Sequence, residues 1–156
     1  MNRYRYRKAW ALGLVCIALL AAGQGCATIS MYDHYAYTQT TSLKVDALAL
    51  MGKATSNAAS HAEAIEQLLV KVDKAYEYEK GRPKNEITTR MWDVLKNPDR
   101  NLLGGFVKRW REKGKLSQAF VEEAKDLIGE AFDLISGLES QKIKEDDAAA
   151  KFAKFL

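Results

Sequence analysis

At 156 residues, 47% hydrophobic and 28% charged with two prolines, the chain has enough material for one domain. It is too apolar for a disordered or collagen-like chain. Two cysteines are too few for a disulfide-stapled miniprotein. The formal charge of +4 is local: Arg3, Arg5, Arg7 and Lys8 lie in the first 25 positions with no acidic residue, so the rest of the chain balances 20 basic against 20 acidic residues. The basic character therefore argues for no nucleic-acid partner. After the cationic start, residues 9–22 form an apolar run of 14. A bilayer-spanning helix needs about 20 such residues. A basic start, a short apolar core and then small residues make the layout of a secretory signal over residues 1–25.

The run leads into Gly23-Gln24-Gly25-Cys26-Ala27. This resembles the lipobox of bacterial lipoprotein precursors, in which a cysteine directly follows small residues. Gly25 and Cys26 fit that pattern; Gly23 stands where Leu is commonest, and Gln24 is larger than the usual Ala or Ser. The resemblance covers about the first 27 residues. It implies that the signal is cut before Cys26, that the Cys26 thiol and the new amino terminus are acylated with palmitate-type chains, and that residues 26–32 form a lipidated tether. It also implies an envelope location. Ala27, where an Asp often signals inner-membrane retention, points to the outer membrane in a double-membraned bacterium. Ordinary signal cleavage and an uncleaved anchor over residues 9–29 stay open as alternatives.

The chain beyond the tether reads as all-α, a small bundle of four to five helices over residues 33–144, with residues 145–156 as a C-terminal tail. A first helix starts at Asp33 or Tyr35 and runs to about residue 53, with Leu43, Ala47 and Leu50 on one stripe. Thr38, Thr40 and Thr41 are mediocre helix formers, which blurs its start. A second helix begins at Ser56 or Asn57. Ala58, Ala62, Ile65, Leu68, Leu69, Val72 and Tyr76 recur at three- and four-residue steps until Gly81-Arg82-Pro83 stops them. A short third helix fits residues 86–96, before the turn Asn97-Pro98-Asp99. A fourth covers residues 102–113, its first turn weakened by Gly104 and Gly105. Ser117 is a candidate N-cap for the last helix, which carries Phe120, Val121, Ala124, Leu127, Ile128, Ala131, Leu134, Ile135 and Leu138. Such regularity would serve a homodimer seam, although an intramolecular core is the simpler expectation. The tail, ending in KFAKFL, is expected to be disordered by default, with docking on the bundle as the alternative.

No residue pattern points to catalysis, a cofactor or a metal. His34 and His61 have no ligand spacing around them, no Glu-x-x-His occurs for a di-iron bundle, and Gly104-Gly105 lacks the Lys-Ser/Thr pair of a phosphate loop. Three surface clusters remain. Glu122, Asp126, Glu130 and Asp133 share one side of the last helix, as a solvated face or a site for a cation or basic partner. Lys108, Arg109 and Arg111 surround Trp110 as a candidate interface. They would either face the acidic side across a hairpin turned at Gly114 or meet anionic headgroups or an acidic wall polymer. Tyr32, Tyr35 and Tyr37 lie near the anchor, either at headgroup level or covering the bundle's end. The expectation is a lipid-anchored, non-catalytic envelope protein that binds or scaffolds a protein or wall partner. An inhibitor or immunity-type protein is the alternative, and a wall- or lipid-acting hydrolase is a further one.

Overall fold

A computed structural model describes residues 30–156; the signal, Cys26 and the first part of the tether lie outside the described residues. The described chain is all-helical. Six α-helices follow in order: α1 (His34–Met51), α2 (Ala62–Gly81), α3 (Glu86–Lys96), α4 (Leu103–Lys113), α5 (Gln118–Glu139) and α6 (Glu145–Phe152), with short 3-10 turns at Ala58–His61 and Ala153–Phe155. No described helix is long and apolar enough to cross a membrane.

Local chemistry fixes the helix ends. Asp33 caps α1, its Oδ1 accepting from the backbone N–H of Tyr35 (2.8 Å) and Ala36 (3.1 Å). The threonines that blur this start satisfy their hydroxyls inside the helix: Thr40 donates to the Ala36 carbonyl and Thr41 to that of Tyr37. The second helix begins later than its periodicity suggests. Asn57 caps a 3-10 turn by accepting from the Ala59 N–H, so the apolar repeat continues through a tighter turn before α2 starts. Ser117 caps α5 through the Phe120 N–H.

Helix α1 runs antiparallel to α5, with Lys44 beside Asp133 and Leu48 beside Gly129. Along α5, Phe120 stacks on Phe106 of α4, and Phe132 meets the edge of Trp92 of α3. These contacts are twelve residues apart, about 18 Å along the axis. The short helices α3 and α4 thus cover successive halves of one long helix. The corner between them needs Gly104 and Gly105: a Cβ on Gly104 would strike the Lys96 carbonyl, and one on Gly105 the Arg100 carbonyl. The double glycine that weakens a helix start in sequence is what lets α4 approach the end of α3.

The apolar face of α5, including Ile128, Ala131, Phe132, Ile135 and Leu138, is buried within this one chain. A dimer seam along that face would compete with the chain's own core. The C-terminal segment differs from the default expectation of disorder. It forms α6 and packs back, with Ala148, Phe152 and Phe155 all buried. Phe152 and Phe155 lie 5.0 Å apart, and Lys154 pairs with Glu130 of α5. The two phenylalanines, three residues apart, supply the apolar side that the polar stretch before them lacks.

Candidate functional site

One end of the bundle, the tether pole, collects the C-termini of α2 and α5, the start of α3 and the chain entering α1. Arg82, just past α2, is its hub. Its Nη1 donates to Glu79 Oε2 (2.7 Å) and to Glu139 Oε2, the last residue of α5. Its Nη2 donates to the Met31 carbonyl at 2.8 Å, and its Nε lies 4.0 Å from Asp33 Oδ2. Asn85 Nδ2 donates to Glu79 Oε2 (2.6 Å) and to the Glu79 carbonyl (2.9 Å). Ser30 Oγ donates to the Pro83 carbonyl, and Tyr78 OH to Asp33 Oδ2 at 2.6 Å. The segment leading into α1 is thereby fastened to the residues just past α2 before α1 begins.

The electrostatics of this end are divided. Glu79 and Glu139 have side chains only 1% exposed. Burial pushes both carboxyls above their ordinary value, and for Glu79 the neighbouring Glu139 charge adds to it; the Arg82 guanidinium opposes the shift in each. Two carboxylates share one guanidinium, the Thr88 hydroxyl also favours the Glu139 carboxylate, and Asn85 Oδ1 is buried without a hydrogen-bond partner. Asp33 is shifted the other way, held below its ordinary value by the Tyr78 hydroxyl and then by the Ala36 N–H. The backbone is also tense here. The non-glycine residues with positive φ among the described ones are Lys84 (55°) and Gln141 (57°), each two positions beyond a member of the Arg82–Glu139 pair. Such a conformation costs about 1–2 kcal/mol per residue.

The candidate interface on α4 is rearranged by burial. Trp110 is 0% exposed. Its Nε1 donates to the Ser56 carbonyl at 3.0 Å, and its ring packs near His61 and Phe106. It closes the opposite, far pole of the bundle and presents nothing to a membrane or partner. The three cations stay at the surface. Lys108 pairs with Asp99 at 2.8 Å, Arg111 pairs with Glu66 of α2, and Arg109 lies 4.6 Å over the Phe120 ring. The expected charge seam between α4 and α5 does not form. Those helices meet through aromatic rings, and the α5 acids pair elsewhere: Asp133 with Lys44, Glu130 with Lys154 and Glu122 with Lys125.

The histidines are separated. His34 Nδ1 is 3.2 Å from the Tyr32 hydroxyl, and His61 Nε2 is 2.7 Å from the Ser56 hydroxyl. Among the described residues no three His, Cys, Asp or Glu side chains are grouped to hold a metal. The aromatic cluster at the start of α1 splits: Tyr37 is half-buried, whereas Tyr32 (51%) and Tyr35 (57%) are exposed. Tyr35 stands edge-on to Tyr78 with centroids 4.9 Å apart.

The Arg82 cluster escapes a reading of the sequence. Its one local signal is Glu79 three residues before Arg82, a spacing common on solvated helices. Glu139 joins from 57 residues away. No protein-family model, curated protein or solved structure matches the chain.

Proposed function

We propose that this chain is a lipid-anchored protein of the bacterial cell envelope, whose helical domain binds or scaffolds a protein or wall partner beside the membrane. The observation that carries the reading is the order of the first 26 residues: four cations, 14 apolar residues, then small residues ending in Gly25-Cys26. In this reading residues 1–25 are removed and Cys26 becomes the lipid-bearing first residue. Three acyl chains at ~0.8 kcal/mol per buried methylene hold a protein stably without a spanning helix. The way the domain begins supports it. The bundle takes hold of the chain at Ser30 and Met31, leaving only a short lead from Cys26, as suits a domain held near its anchor. Ala27 favours the outer membrane where there is one.

The partner side of the proposal draws on the exposed cations Lys108, Arg109 and Arg111. Arg109 lies over the ring of Phe120, whereas Glu139 marks the tether pole. Those α5 residues are about 28 Å apart along the axis. An acidic polymer or acidic protein surface reaching from outside the membrane suits this face better than headgroups do. Palmitate labelling tests the anchor: label in the wild type that vanishes in Cys26→Ala supports it, and an unlabelled wild type rejects it. Crosslinking in intact cells tests the partner: a specific product lost in Lys108→Glu/Arg111→Glu is expected, and an identical pattern rejects that face.

A further inference from the structure

Resting on the lipid-anchor reading, we propose that the tether pole is itself a membrane-contact surface: Met31, Tyr32 and Tyr35 sit in the lipid headgroup layer, and the Asp33–Tyr78–Arg82 contacts hold the bundle upright on it.

Reach comes first. Four residue steps separate Cys26 from Ser30, and an extended chain covers at most about 14 Å over that length. The polar layer on each side of a bilayer is roughly 5–8 Å thick. A lipid on Cys26 therefore keeps this pole at, or just above, the headgroups.

Exposure comes second. Single apolar residues at a surface need no explanation, but a cluster does. Met31 is 86% exposed, and Tyr32, Tyr35 and Tyr78 join it at one end, while Val45 and Val70 stand on the flanks of α1 and α2. The core at this end of α1 begins at Ala36 and Thr40, at 0% and 1% exposure, while Tyr32 and Tyr35 stay more than half exposed. A ring with a hydroxyl tip is the side chain best suited to a boundary between hydrocarbon and water.

Rigidity comes third. Asp33 accepts from the Tyr78 hydroxyl and from two α1 backbone N–H groups, and Arg82 holds the Met31 carbonyl. The aromatic residues are thus presented on an ordered frame, so little ordering entropy is lost on contact. An upright α1 of 18 residues puts the far pole about 27 Å above the surface, several Debye lengths from the headgroup charge.

The test uses the mature, Cys26-acylated protein in phosphatidylethanolamine/phosphatidylglycerol vesicles. Acylation blocks the native thiol, so an environment-sensitive fluorophore goes only onto an introduced one: Met31→Cys, Tyr35→Cys, or Lys115→Cys at the far pole. With a headgroup-level spin-labelled lipid, several-fold stronger quenching is expected at positions 31 and 35 than at 115, with the reverse order for aqueous iodide. Equal quenching at the three sites in floating vesicles overturns the membrane-contact proposal and leaves the anchor standing. Protection of positions 31 and 35 in cells but not in vesicles also overturns it, assigning the pole to a protein. Wild-type protein that fails to float overturns the anchor reading and this proposal together.

Discussion

The two ends of the bundle are closed by different chemistry. The far pole is sealed by neutral groups: the Ala58 N–H donates to the Gly114 carbonyl (2.8 Å), the Leu116 N–H to that of Ala54 (2.9 Å), and the Trp110 indole to that of Ser56 (3.0 Å). Gly114 makes this geometry accessible, ending α4 with φ at +73°. The tether pole is sealed by charge, with Arg82 shared between Glu79, Glu139 and the segment that leads into α1. A neutral seal meets its hydrogen-bonding needs. A charged seal responds to protonation, and fails badly when one member is lost, because the others remain buried and uncompensated.

That contrast can be broken most forcefully at Arg82. Arg82→Met strands two buried carboxylates and is expected to destabilise by about 3–5 kcal/mol in urea unfolding. Adding Glu79→Gln and Glu139→Gln should recover most of the loss, as it removes the stranded charges; failure of that rescue would show that Arg82 acts through packing alone. At the far pole, Trp110→Phe keeps most of the volume but leaves the Ser56 carbonyl without the indole N–H. A loss of about 1–3 kcal/mol is expected in urea unfolding at neutral pH; an unmoved midpoint would show that the indole N–H adds nothing to the seal.

Two carboxyls of the tether pole should respond to pH with opposite signs. The folded-state value of Glu139 is raised, so its contribution is present below its ordinary 4.5 and is lost as pH rises through the folded value. Glu139→Gln should therefore gain on the wild type as pH rises from the ordinary 4.5 through the folded value, and level off above it. The folded-state value of Asp33 is lowered, so its contribution is present above the ordinary 3.8 and is lost as pH falls through the folded value. The deficit of Asp33→Asn, smaller than that of Trp110→Phe, should close in acid. Stability curves for both variants against pH check this; parallel slopes would refute the division. The smallest effect is expected on the α4 face, where Lys108→Ala should leave the unfolding midpoint unmoved, because its pair with Asp99 is solvated.

How far the sequence reaches depends on range. The spacing of Ile65, Leu68 and Val72 places α2 in the core without a structure, and Gly81-Arg82-Pro83 marks its end, because periodicity and backbone sterics are local. Phe152 and Phe155 carry a weaker version of the same signal: two rings three residues apart reveal a docking side only once α5 offers them a surface. Trp110 shows the reverse error. Flanked by cations it reads as an interfacial residue, yet the neighbours of a helical residue in sequence are not those on its own face, and its face is the one turned toward His61 and the Ser56 carbonyl. The Arg82 cluster lay beyond reading because its members come from four separate elements.

The order of residues alone determined that the chain is helical, where most helices stop, and that a cationic and apolar leader precedes a cysteine among small residues; each follows from interactions within a few positions. Tertiary structure decided which charged groups would be buried together, which aromatic rings would close the core and which would face outward. Those outcomes depend on desolvation, and how much water a side chain loses is set by elements dozens of residues away.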